Sequence, residues 1–121
     1  MSPAMLALWI AAAGGVGAAA RYLVDTSLPR RFRARFPWGI AIINLTGSFA
    51  LGVLTGLALE HPVAGIASVG FLGGYTTFST ASLDTVQLLR ERRTLAALAN
   101  GPGVLAASVA LAVLGIAVVR G

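Results

Sequence analysis

Residues 70–82, GFLGGYTTFSTAS, decide how this chain folds. They follow the apolar run HPVAGIASV and precede LDTVQLLRERR, so a Gly-Gly pair and a cluster of hydroxyls fall inside a segment otherwise suited to hydrocarbon. Interrupted helices persist at membrane depth only where the freed backbone is buried in protein or lines a cavity. The pair Gly73-Gly74 is therefore expected to break a membrane-spanning helix, presenting carbonyls from one half and N–H groups from the other. Carbonyl ends favour a cation, and the N-terminal end of a half-helix favours an anion. Beyond the pair, Thr76 and Thr80 lie one helical turn apart and Phe78 stands among hydroxyls. A ring edge carries positive potential and can meet an anion without offering a full charge. Such a stretch could pass a small, strongly hydrated anion along hydroxyls and ring edges, with a fixed buried cation in compensation.

Composition identifies the solvent. With 57% hydrophobic and only 11% charged residues, and a mean hydropathy of +0.85, the chain reads as a membrane protein. Its 121 residues allow about four helices of about 20 residues each across a bilayer core of about 30 Å. The expectation is one all-α membrane domain over residues 1–121, with spans at about 4–23, 38–59, 63–89 and 95–119. Pro29 and Pro37 bracket the first connection, Glu60-His61-Pro62 forms the second, and Arg90 to Thr94 the third. Trp9, Tyr22 and Trp38 are candidate interface anchors. The opening segment lacks the basic flank of a signal peptide and is expected to be the first span. The absence of cysteine excludes disulfides, thiol nucleophiles and thiolate metal sites. A net charge of +5 would suggest nucleic acid in a soluble protein, but here the arginines sit where helices meet lipid headgroups, and no domain is left to read a groove.

Arginine also sets orientation, because short basic connections stay cytoplasmic. Arg30, Arg31, Arg33 and Arg35 fall in the first connection, Arg90, Arg92 and Arg93 in the third, and Arg21 at the matching end of span 1, against Arg120 alone on the other side. Both termini are expected outside a plasma membrane, with the basic connections in the cytoplasm. Small residues at Gly15 and Ala19, Ser48 and Gly52, and Gly52 and Gly56 suit close helix packing. So thin a bundle is expected to assemble, most simply as a two-fold dimer.

Polar residues inside apolar spans are functional candidates by default. Asn44 lies within span 2 on the face of Ser48 and Thr55, where it serves either a pore or an interhelical hydrogen bond. Ser108, midway along span 4, can return its hydroxyl to the carbonyl one turn earlier. Asn100, beside Gly101-Pro102-Gly103, suggests a kink. His61 has no second metal-ligand type near it. Arg21 either snorkels to the interface or forms an electropositive vestibule that gathers anions.

The segments GGVGAAARY at 14–22, NLTGSF at 44–49 and GFLGGYTTFST at 70–80, in this order on four spans, resemble the Fluc (CrcB) family of fluoride channels. The resemblance covers essentially the whole chain. It implies a dimer of antiparallel, dual-topology subunits with two pores, which let cytoplasmic fluoride leak out without catalysing a reaction. It implies that the backbone carbonyls of Gly73 and Thr76 hold a structural sodium ion at the dimer centre. Asn44, Phe78, Ser79 and Thr80 match pore positions, Ser108 is a further pore candidate, and Arg21 matches the arginine after the span 1 glycines. Asp84 stands where the family usually has glutamate.

Two features depart from that pattern. The family reads TTFSTF where this chain has Thr76-Thr77-Phe78-Ser79-Thr80-Ala81, so the second aromatic is an alanine. Span 4 lacks the usual tyrosine and most serines, leaving Asn100 and Ser108. Eight arginines against one also argue against copies inserting in both directions. The expectation is a chain that works with an oppositely oriented homologue supplying the missing aromatic. The alternatives are a non-conducting structural subunit and a small four-span multidrug exporter, although span 1 has no embedded carboxylate to couple protons.

Overall fold

The computed structural model describes residues 2–57 and 65–121. Helix α1, Pro3–Ser27, starts on Ser2, whose hydroxyl accepts the Met5 N–H at 3.2 Å, with Pro3 in the first turn, where its missing N–H costs nothing. It ends where Leu28 turns extended before Pro29. The short α2, Arg30–Arg35, carries basic residues of the first connection into α3, Trp38–Leu57. Next, α4 runs as a π-helical stretch, Ala67–Leu72, into one α-turn, Gly73–Tyr75. Then come α5, Phe78–Arg90, and α6, Thr94–Arg120, which contains a π-helical insertion at Ala99–Gly103. Pro102 sits inside that insertion, where the widened turn accommodates the donor proline lacks.

Three of these helices, α1, α3 and α6, are long and apolar enough to cross a membrane. Among the described residues the remaining apolar segment is divided between α4 and α5, and neither described piece reaches that length. The second connection, including His61, and the start of the expected third span lie outside the described residues.

Helix α3 is the hub. Its Ile40, Ala41 and Ile43 are buried, Ile43 completely, and it packs most extensively against α6. Small residues set the spacing. A Cβ on Gly52 would collide with the Ala112 carbonyl, and one on Gly115 with the Phe49 carbonyl, so each backbone fills the space the other's glycine leaves. On the other side, a Cβ on Gly17 would collide with the Phe71 carbonyl and one on Gly74 with the Gly14 carbonyl. Gly14 and Gly17 therefore make the close α1 contact. A Cβ on the expected Gly15 would meet nothing within 4 Å.

That packing corrects the position of the break. Gly73 and Gly74 were expected to interrupt the helix, yet both are helical, Gly73 with φ −61° and ψ −37°. The interruption is at Thr76-Thr77: Thr76 has φ −80°, ψ 157°, and Thr77 φ −150°, ψ 118°. The missing Cβ of Gly74 serves helix approach. The chain turns extended where threonine hydroxyls offer the backbone alternative partners.

Candidate functional site

The two polar motifs singled out in the sequence are halves of one structure. Asn44 points its carboxamide at the break: Nδ2 donates to the Thr77 carbonyl and Oδ1 accepts the Thr77 N–H, both at 2.9 Å. A side-chain amide thus stands in for a neighbouring backbone and satisfies both groups of one extended residue. The next residues of α3 complete the fit. The Thr46 and Tyr75 hydroxyls meet at 3.1 Å, and the space where Gly47 lacks a Cβ is filled by the Thr76 methyl.

Threonines organise the break itself. The N–H and hydroxyl of Thr76 both donate to the Leu72 carbonyl at 2.9 Å. Thr77 caps α5, its hydroxyl oxygen accepting the Thr80 N–H at 3.2 Å. Among the described residues, the carbonyls of Gly73 and Thr76 receive no hydrogen bond. Gly73 is exposed, with nothing within 4 Å of the place a Cβ would take, and Thr76 is half-buried. Unpaired neutral carbonyls are the donor chemistry a hard cation such as sodium takes. The residues present therefore fit the cation the resemblance implies.

Beside the break, α3, α5 and α6 enclose a cavity of about 520 Å³, open on one side. Asn44 and Ser48 line it from α3, Phe78 and Ala81 from α5, and Asn100 and Ser108 from α6. No charged side chain is among the described residues that line it. Its polarity comes from amides and hydroxyls, and a hydroxyl turns to donate or accept as an occupant requires. Phe78 stands at its edge with 77% of its surface exposed. Ser79 is exposed and Thr80 half-buried, and neither lines this cavity; Thr80 is engaged with Thr77 instead. Arg21 lies half-buried on α1, away from the cavity.

Asn100 does more than mark a kink. It is 2% exposed, and its Nδ2 donates to the Ala81 carbonyl at 3.2 Å and the Thr85 hydroxyl at 2.9 Å, while that hydroxyl donates to the same carbonyl at 2.8 Å. The π-helical insertion of α6 is thereby fastened to α5 at the residue that replaces the expected second aromatic.

The model of the family described as CrcB-like protein, Camphor Resistance (CrcB), matches residues 8–116. This chain belongs to the CrcB-like family. Among its relatives is the fluoride-specific ion channel FluC 1 of Leifsonia xyli subsp. xyli, 45% identical over 120 residues, which are 96% of this chain and 87% of that one. The fluoride-specific ion channel FluC 2 of Mycobacterium tuberculosis is 46% identical over 97 residues, 78% of this chain and 77% of that one. FluC 1 of Thermobifida fusca is 43% identical over 115 residues, 95% of this chain and 96% of that one. These CrcB-like relatives are ion channels and not enzymes.

Against that family background, Ser82 and Thr85 are lining residues that sequence reasoning passed over. The signal was present: Phe78, Ala81, Ser82 and Thr85 repeat at helical spacing on one face of α5.

Proposed function

We propose that this CrcB-like chain is a subunit of a fluoride-selective channel through which cytoplasmic fluoride leaves down its electrochemical gradient, relieving its toxicity. The observation that carries the reading is the uncharged cavity beside the Asn44–Thr77 bracket, with Phe78 at its edge, in a chain at least 43% identical to three fluoride-specific channels. Fluoride is costly to dehydrate, so a pathway must replace water with hydroxyl and amide donors and must not hold the ion with a full charge. Asn44, Ser108 and the Phe78 ring edge meet those terms within the cavity, and Ser79 and Thr80 extend the hydroxyl series outside it. Arg21 gathers anions at the cytoplasmic end.

In this reading α4 and α5 together make the fourth crossing, both termini lie outside the plasma membrane, and the basic connections lie in the cytoplasm. The face at Gly73 and Thr76 meets an antiparallel subunit. Carbonyls from both would hold a sodium ion, which supplies fixed positive charge between the subunits and is not transported. Ala81 and the arginine asymmetry favour an oppositely oriented homologue over a second copy as that subunit.

Fluoride efflux from liposomes, followed with a fluoride electrode and compared with chloride, tests the function. Selective efflux from this chain alone shows a self-sufficient channel. Efflux only after co-expression with the homologue shows the paired form, and none in either case overturns the proposal.

A further inference from the structure

The carbonyls of Gly73 and Thr76 stay unpaired for a reason written in other residues. In a continuous α-helix the Thr77 N–H would return to the Gly73 carbonyl, and the Thr80 N–H to the Thr76 carbonyl, each four residues back. Neither does. The Thr77 N–H is taken by Asn44 Oδ1 at 2.9 Å, and the Thr80 N–H by Thr77 Oγ1 at 3.2 Å. We propose that Asn44 and Thr77 are positioning residues that hold the carbonyls of Gly73 and Thr76 open for a cation, by capturing the two N–H groups that a regular helix would return to them.

Several details fit this division of labour. The capture is selective, because the preceding carbonyl, of Leu72, is doubly satisfied by Thr76 and so withdrawn from any ion. Asn44 is anchored at both ends of its amide, since Nδ2 holds the Thr77 carbonyl while Oδ1 holds the N–H. That leaves the peptide little freedom to rotate back into a helix. The threonine hydroxyl acts from within the chain as an N-cap, an ordinary role given an unusual consequence by the carbonyl it releases. Asn44 therefore couples the cavity it lines to the cation position it does not touch.

The inference rests on the cation reading above, so the test separates the two. Melting of the detergent-solubilised channel, in its native assembly, is followed against sodium concentration in an N-methylglucamine background. Stabilisation by a ligand bound only to the folded state rises with its concentration relative to its dissociation constant. The native channel is expected to be stabilised by sodium. Thr77→Val, which keeps the shape and loses the acceptor, and Asn44→Leu should raise the half-maximal sodium concentration about tenfold or more, the equivalent of one lost charge-dipole contact. Thr77→Ser, which keeps the hydroxyl, should stay within about twofold of native, as the retained cap predicts.

An unchanged sodium dependence in Thr77→Val and Asn44→Leu overturns the inference and leaves the cation site standing. A native channel indifferent to sodium overturns both. Should the variants not fold, the native protein labelled with ¹³C at single carbonyls decides the matter. Gly73 and Thr76 should respond to sodium while Leu72 does not, and an equal response at all three, or none, refutes the arrangement.

Discussion

Ala81 and Asn100 meet on the cavity wall, where the side chain of one bonds the backbone of the other. The alanine leaves room in the cavity, and Asn100 crosses from α6 to bond the Ala81 carbonyl and Thr85. Ala81→Phe should place a ring in existing space, shifting the melting temperature by no more than a few degrees, a change of order 1 kcal/mol. Fluoride efflux from liposomes carrying this chain together with its oppositely oriented homologue should change severalfold; an unchanged rate there would put Ala81 outside any conducting path. Asn100→Leu removes a buried donor shared by two acceptors. Hydrogen bonds between membrane helices average about 0.6 kcal/mol and the substitution removes two of them, so a loss of about 1–2 kcal/mol is expected in equilibrium unfolding. In Thr85→Val the Asn100 amide keeps the Ala81 carbonyl, so the double variant should lose less than the sum of the two single ones. Strict additivity would show that the three groups do not act together.

At the scale of the helices, glycines do two kinds of work that the sequence does not tell apart. Gly74 and Gly17 are contact points where α1 and α4 touch backbone to backbone, whereas a Cβ at Gly15 would meet open space. Gly74→Ala and Gly17→Ala each force a methyl against a carbonyl that cannot rotate away. Each should destabilise the bundle by more than about 2 kcal/mol, and Gly15→Ala by less than about 0.5. Thermal unfolding of the purified protein reads the difference, and equal effects would refute the contact. The same contrast explains what the sequence made legible. The apolar runs and their punctuation marked α1, α3 and α6, and the motifs NLTGSF and GFLGGYTTFST marked where polar groups gather. The pair Gly73-Gly74 suggests the break because glycine suggests conformational freedom, while the use of Gly74 here is to be small. Thr76 and Thr77 gave no comparable signal, since their effect depends on Asn44, more than 30 residues earlier and adjacent only after folding. At Asn100 the Gly-Pro-Gly that follows suggests a kink, and only the packed α5 shows where its amide goes.

For the molecule as a whole, the proposed function raises two separable questions about a channel made of this chain's own copies. One is orientation: in the proposed topology eight arginines fall on one side against one on the other and favour a single direction of insertion, whereas an antiparallel pair needs both. The other is the cavity wall, where Ala81 supplies no ring. A reporter fused to the C-terminus should read almost entirely outside the cell. Replacing Arg30, Arg31, Arg33 and Arg35 with glutamine leaves four arginines against one, and with the bias weakened the reporter should divide between the two sides. Fluoride efflux from cells carrying only this variant then distinguishes the two. If orientation alone prevents self-assembly, the neutralised chain gains efflux with Ala81 unchanged. If the missing aromatic also matters, efflux appears only when Ala81→Phe is added, and Ala81→Phe in the native arginine background remains silent. Efflux from the unaltered chain at the level of the doubly altered one would mean that enough copies already insert against the arginines, and that Asn100 and the hydroxyls of α5 suffice where the second ring is absent.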